Sequence, residues 1–275
     1  MRTILCFGYL IFALIGYIPA MLKCKRLERR GMDEEMHRTA DKCIKNFARG
    51  ALKVAGVTVD IYGEENIGSV PAVYVPNHQG NWDVAVLLAY LDKPYGFISK
   101  DSISKIPLVR TWMSFMNCVF IDRSNTREAV RAVSNAASRI TQGDSIIIFP
   151  EGTRSRGENM GEFKLGAFKS AIKYDVPIIP VSIDGTYRIM EANKGSRIHS
   201  AHVILTFLPP VCTSDYDREE QKTLPAKVSR MILDARYESR MKLKKTLTDA
   251  GKSTETLTDA GEANDTFSTD TNQND

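Results

Sequence analysis

Between Thr3 and Leu22 the chain reads TILCFGYLIFALIGYIPAML, twenty residues without a charge, and no other uncharged apolar run is long enough to cross a bilayer. At ~1.5 Å per residue such a helix matches a hydrocarbon core of ~30 Å, so the run predicts a span or a deeply embedded anchor. Only Arg2 precedes it, whereas Lys23, Lys25, Arg26, Arg29 and Arg30 follow. A cleaved secretory signal carries its charge on the other side, and the positive flank predicts a cell-membrane protein with its bulk on the cytoplasmic face. From Met36 to Ala55 the pattern changes to a helical one. Met36, Ala40, Cys43, Phe47, Ala51 and Val54 form an apolar stripe, with Arg38, Lys42, Lys45, Arg49 and Lys53 on a second. Such a helix either lies among lipid headgroups, as an amphipathic interfacial helix, or packs on the domain beside it, and the two stripes suit both readings equally.

Beyond this point short β-branched and aromatic runs appear at 57–63, 72–77, 96–100, 118–123, 145–151, 177–183 and 202–208, each predicting a strand. Helical patterns separate most of them, at 82–91, 105–116, 126–142, 163–174 and 225–243. The helix over 126–142 has Asn125 as N-cap, Glu128 three residues on and Gly143 as its stop. Strands alternating with helices predict an α/β fold with a mixed, largely parallel sheet flanked by helices, behind an N-terminal membrane-associated helical segment. The two prolines of Val176-Pro177-Ile178-Ile179-Pro180-Val181 argue against a regular central strand there. The expected organisation is a membrane anchor with its basic flank (1–30), the amphipathic helix (31–56), an α/β domain (57–245) and an acidic tail (246–275) in which TLTDAG occurs twice and little can be buried.

Composition narrows the picture. With 43% hydrophobic and 25% charged residues in 275, the chain is neither collagenous, nor a coiled-coil rod, nor wholly disordered. The formal charge of +4 hides a tail of −6 behind a body of +10, and a body this basic expects an anionic partner: a membrane surface, nucleic acid or a phosphorylated substrate. RNA-binding, zinc and helix-turn-helix patterns are missing, which argues against nucleic acid. The five cysteines are widely spaced without a CxxC pair and read as reduced thiols.

Four blocks carry chemistry. Asn77-His78-Gln79-Gly80-Asn81-Trp82-Asp83 falls where a strand ends and a helix begins. An imidazole of ordinary pKa ~6.5 makes His78 a candidate general base, and Asp83 could fold back to hold one ring nitrogen protonated. Phe149-Pro150-Glu151-Gly152-Thr153-Arg154-Ser155-Arg156 follows an apolar run and reads as an anion-binding turn, with planar arginine forks suited to phosphate oxygens. Phe120-Ile121-Asp122-Arg123 brings another arginine to a strand end, and the fourth block is the Val176–Val181 run. Neither GxxxxGK[ST] nor GxSxG occurs. His37, His199 and His202 have no evident carboxylate or thiol co-ligands, so no metal is expected.

In this order, over roughly residues 55–210, the blocks resemble the glycerolipid acyltransferase family, which includes 1-acyl-sn-glycerol-3-phosphate acyltransferases. The resemblance implies a catalytic pair at His78 and Asp83 in NHQGNWD. It also implies an acceptor-phosphate arginine at Arg123 in NCVFIDR, an acceptor site at Glu151, Gly152, Thr153 and Arg154 in FPEGTRS, and an assisting Lys100 in FISKDSI. Gly80 stands where many relatives have serine, which removes a hydroxyl from the loop without touching the pair, and Asn117 stands where glycine is usual. The implied reaction moves a fatty acyl group from acyl-CoA or an acyl carrier protein to the 2-hydroxyl of lysophosphatidic acid, giving phosphatidic acid, with no cofactor beyond the thioester co-substrate. Glycerol 3-phosphate or another lysolipid is the alternative acceptor. A non-catalytic protein binding anionic lipid through residues 23–53 is the alternative outside enzymes.

Overall fold

In the computed structural model the uncharged N-terminal run forms two helices, α1 (Arg2–Gly16) and α2 (Ile18–Arg29), bent by 42° where they meet. Pro19 falls in the first turn of α2, where a missing N–H breaks no helical bond. One face of α1 is bound to the protein: Cys6 is buried, the Tyr9 hydroxyl donates to the Phe47 carbonyl (3.0 Å), and Thr3 Oγ1 accepts the Ile198 N–H (2.9 Å). Its other face leaves Ile4, Phe7, Ile11, Phe12 and Ile15 exposed. Among the described residues no single helix is long and apolar enough to cross a membrane, and the bent pair passes that test only together. The structure describes residues 1–91, 95–121, 134 and 138–249. The chain divides into two units, Met1–Arg236 and Tyr237–Asp275.

Helix α3 (Asp33–Ala55) has the expected extent, but its apolar face is covered by protein rather than lipid. Ala48, Ala51, Leu52 and Ala55 enter the main core, and Met36, Ala40 and Ile44 pack with Met21, Cys24 and Trp112. A stripe so rich in alanine lets neighbouring helices approach closely, which is the physical reason that the packing alternative prevails over an interfacial one. Arg38, Lys42, Arg49 and Lys53 remain exposed.

All seven expected strands form one sheet: β1 (Val57–Tyr62), β2 (Val73–Pro76), β3 (Tyr95–Lys100), β4 (Val119–Ile121), β5 (Ser145–Ile147), β6 (Ile178–Asp184) and β7 (Ala201–Phe207). The order is β1-β7-β6-β2-β5-β3-β4, and every pair is parallel except β6 with β7. Alternate residues feed two cores. Tyr74, Ile147, Ile179 and Val181 face the side of α3 and α4 (Trp82–Tyr90). Val73, Val75, Ile146 and Ile178 face the side of α6 (Lys169–Tyr174) and the first turns of α7 (Leu224–Asp249). Helix α5 (Pro107–Phe115) brings Trp112 and Phe115 against α2 and α3.

Several expectations are corrected. The run with two prolines is a regular central strand, β6, paired on both sides. Pro180 is tolerated at the end of the regular β6–β7 ladder, just beyond the pair of Val181 with Phe207: its carbonyl accepts the Leu208 N–H (2.9 Å), and its missing N–H costs only the return bond of that one rung. β5 ends at Ile147 because the chain turns at Phe149–Gly152. The helix expected over 163–174 begins as a 3₁₀ turn, Leu165–Ala167, and is α-helical only from Lys169. α7 runs on to Asp249 and so takes in the first four residues assigned to the tail. Residues 250–275, Arg123 and most of the helix expected over 126–142 lie outside the described residues. The described end of that helix, Arg139–Gln142, is a 3₁₀ turn that stops at Gly143 as expected. Asn117 adopts φ 58°, a left-handed conformation that asparagine tolerates better than most residues, and its amide donates to Asp144 (2.9 Å).

Past the end of β2 the ladder to β6 is continued by a side chain. Fully buried Asn77 donates from Nδ2 to the Ile183 carbonyl (2.9 Å) and accepts the Ile183 N–H at Oδ1 (2.8 Å). Asn77→Ala therefore strands two buried backbone groups and is expected to cost about 2–4 kcal/mol, read as a lowered denaturant midpoint. An unchanged midpoint would contradict this role.

Candidate active site

Strands β6, β2, β5 and β3 lie side by side and parallel, so the loops leaving their C-terminal ends gather at one edge, where open α/β sheets hold ligands. The loop after β2 carries His78, and α4 begins four residues later with Asp83 in its first turn. The loop after β5 is fastened to it by two backbone bonds, Ser155 N–H to the His78 carbonyl (2.8 Å) and Arg156 N–H to the Gln79 carbonyl (3.1 Å).

His78 Nδ1 lies 2.7 Å from Asp83 Oδ2. A carboxylate accepts only, so Nδ1 carries the proton and Nε2 presents its lone pair, with no protein partner among the described residues. Phe149 stacks on the imidazole (ring centroids 4.0 Å, planes 26° apart) and limits its tilt. Asp83 is fully buried. Its Oδ2 also accepts the Gly80 N–H (2.9 Å), and its Oδ1 accepts the Thr186 hydroxyl. Thr186 follows β6 through Gly185, whose φ of 102° and whose contact with the His202 carbonyl, 2.3 Å from any added Cβ, require glycine. Behind this pair, Gln79 Oε1 accepts the Gly185 N–H (2.8 Å) and Gln79 Nε2 approaches Asp184 Oδ1 (3.4 Å). Arg236 Nη2 meets the same oxygen at 3.1 Å. Gln79, Asp184, Thr186 and Arg236 are all buried.

Glu151, also buried, accepts the backbone N–H of His78 at Oε1 (2.6 Å) and of Gly161 at Oε2 (2.8 Å). Burial pushes its carboxyl above its ordinary pKa, with the two N–H donors opposing the shift. It braces the histidine loop and, like Gly152, does not line the cavity that opens beside His78. That cavity has a volume of about 800 Å³, and His78, Lys100, Thr153 and Arg154 all line it. Its remaining wall is mostly apolar, including Leu10 and Leu14 of α1, Phe47 of α3, Leu88 of α4 and Trp112 of α5. Of the expected site residues the structure thus joins His78 to Asp83, places Lys100, Thr153 and Arg154 on one cavity with His78, and sets Asp83, Glu151 and Gly152 behind its wall.

Sequence reasoning misses Thr186 and Glu191. Thr186 carries a weak signal, a hydroxyl after a glycine at a strand end. Glu191 carries none, though it accepts the Asn81 N–H (2.8 Å) and pairs with Arg154 (3.3 Å). His202 does have a carboxylate neighbour, Asp60 at 2.9 Å across the β1–β7 pair. Among the described residues, no three His, Cys, Asp or Glu side chains are grouped to hold a metal ion.

A histidine–aspartate pair at the C-terminal edge of this mixed sheet, over an apolar cavity with a basic rim, defines a class. Residues 58–184 match the model of the Acyltransferase family. It is similar to a chloroplastic 1-acyl-sn-glycerol-3-phosphate acyltransferase of Brassica napus, 38% identical over 58% of this chain and 46% of that protein. To the 1-acyl-sn-glycerol-3-phosphate acyltransferase of Escherichia coli it is 35% identical over 56% of this chain and 62% of that one. The chain thus spans about half the length of some of these relatives and under two thirds of others. A solved structure, that of the 1-acyl-sn-glycerophosphate acyltransferase of Thermotoga maritima, superposes with a TM-score of 0.70 at 29% identity, covering 86% of this chain and 98% of that one.

Removing the Thr186 hydroxyl tests the support behind the pair. A hydrogen bond to a buried carboxylate is worth about 1.5–3 kcal/mol. If Asp83 loses it as positive charge grows on His78, Thr186→Val should lower turnover by about 10–100-fold. Turnover within about twofold of the parent, in a folded variant, would assign the hydroxyl a purely structural part.

Proposed function

We propose that this protein transfers a fatty acyl group from acyl-CoA or an acyl carrier protein to the 2-hydroxyl of 1-acyl-sn-glycerol 3-phosphate, producing phosphatidic acid at a membrane. The observation that carries this reading is the His78–Asp83 pair, oriented by 2.7 Å contact, with Nε2 left for the substrate beside an apolar cavity. In this reading His78 Nε2 takes the acceptor's hydroxyl proton as the oxygen attacks the thioester carbonyl carbon. Collapse of the tetrahedral intermediate breaks the carbon–sulfur bond, and the proton passes from His78 to the departing thiolate. No acyl-enzyme forms, in keeping with the absence of a GxSxG serine. Asp83 holds the ring and stabilises the imidazolium. Arg154, with Lys100 and Thr153, holds the acceptor phosphate, so binding energy at one end of the molecule positions the hydroxyl at the other. Arg123 joins them in this reading. The apolar cavity receives an acyl chain, and no resident cofactor takes part.

Membrane residence fits the same chemistry. Drawing a lipid chain into water costs about 0.8 kcal/mol per CH₂, so an enzyme seated at the leaflet avoids most of that cost. The exposed Ile4, Phe7, Ile11, Phe12 and Ile15 support α1 as the seat, and the basic residues after it support a cytoplasmic catalytic side.

An acyl-transfer assay with defined lysolipids and both thioester donors tests the proposal. His78→Ala should reduce kcat by about 10²–10⁴-fold while vesicle binding persists. Arg154→Ala should raise KM for lysophosphatidate and leave that for the thioester nearly unchanged. Acylation of glycerol 3-phosphate but not of lysophosphatidate would overturn the acceptor. A folded His78→Ala protein with full activity would overturn the mechanism.

A further inference from the structure

Glu191 lies in the loop region beyond β6, far in sequence from both loops that it touches. Its side chain is only 4% exposed. Oε1 accepts the backbone N–H of Asn81 in the histidine loop (2.8 Å) and faces Nη1 of Arg154 in the loop after β5 (3.3 Å). The carboxylate therefore ties the loop that carries the candidate base to the arginine that faces the acceptor. Arg154 is held by one nitrogen, and among the described residues its others have no protein partner, so an edge of the guanidinium remains for a ligand.

The second oxygen explains a residue choice nearby. Glu191 Oε2 is buried without a hydrogen-bond partner, and a Cβ built on Gly80 would stand 2.5 Å from it. Gly80 is not among the glycines with positive φ, so its backbone conformation does not demand glycine. A side chain there would have to displace the Glu191 carboxylate, which fills the volume that its Cβ would need. Gly80 also donates its N–H to Asp83 Oδ2 (2.9 Å). Any displacement of Gly80 by Glu191, or of Glu191 by residue 80, is thus felt at the catalytic pair and at Arg154 together.

We infer that Glu191 is a positioning residue that sets the placement of Arg154 relative to His78, and that Gly80 is the seat which admits its carboxylate. The inference rests on the acyl-transfer reading, in which Arg154 holds the acceptor phosphate and His78 activates the hydroxyl. A phosphate displaced by about an ångström moves the hydroxyl away from Nε2, and misplacement of that size is enough to cost turnover.

The test is a double-mutant cycle in the full-length protein, assayed with lysophosphatidate and an acyl thioester. Glu191→Ala should raise KM for lysophosphatidate about tenfold and shift that for the thioester by less than about twofold. Glu191→Gln keeps an acceptor oxygen for Asn81 but loses the charge facing Arg154, so its effect should be smaller and in the same direction. Gly80→Ala should lower kcat/KM about tenfold in the parent and less than about twofold in the Glu191→Ala background, where the crowding is gone. Alanine is the informative substitution, since a serine hydroxyl could donate to the orphaned Oε2 and mask the steric effect. Equal rises in both KM values for Glu191→Ala, or the same Gly80→Ala penalty in both backgrounds, would overturn the inference. Should Glu191→Ala fail to fold, Glu191→Asp, which withdraws the carboxylate by one methylene, takes its place in the same cycle. A normal acceptor KM in Arg154→Ala would overturn the phosphate role itself. A raised KM there with a silent Glu191→Ala would overturn the positioning role alone.

Discussion

A carboxylate removed from water must find hydrogen-bond donors for both oxygens, and Asp83 draws its donors from three places. His78 Nδ1–H and the Gly80 N–H reach Oδ2, and the Thr186 hydroxyl reaches Oδ1. Unpaired, such a group would cost several kcal/mol or give up its charge. The requirement fixes the path of the loop after β2, the start of α4 and the turn after β6 at once. It also fixes the imidazole, whose outer nitrogen is thereby directed away from Asp83.

Sheet order makes this convergence possible. β2 lies between β5 and β6, both parallel to it, so three strand ends deliver His78, the arginine turn and the supporting threonine to one edge. Asn77 continues the β2–β6 ladder by one side-chain rung, and Glu151 bridges the histidine loop to Gly161. The N-terminal helices close the far side. Leu10 and Leu14 of α1 line the same cavity as His78, so the element with exposed apolar residues also walls the space beside that imidazole. In the proposed reaction that arrangement lets a chain pass from leaflet to site with little exposure to water.

Much of this was legible in the sequence, because local patterns report local structure. β-branched runs marked all seven strands, and the five-residue spacing of His78 and Asp83 placed both at a strand-to-helix junction. What escaped depends on long-range pairing. Pro180 spoke against a central strand because a propensity does not say how many bonds a missing donor forfeits, here the return bond of one rung at the end of the regular β6–β7 ladder. The stripe on α3 left lipid and protein open as its cover because amphipathicity is blind to what covers the apolar side, here α1, α2, α4 and α5. Thr186 and Glu191 stand more than a hundred residues from the loop they support, and only the fold brings them there.

The central claim is that Asp83 holds His78 with Nδ1 protonated and Nε2 bare, ready to take a proton. With four histidines in the chain, selective ¹⁵N labelling and comparison with His78→Gln isolate this ring. Nitrogen shifts recorded above the pH at which the imidazole titrates should show a protonated Nδ1 and an unprotonated Nε2, and Asp83→Asn should disturb that preference. A proton found on Nε2, or a tautomer indifferent to Asp83→Asn, would contradict the account.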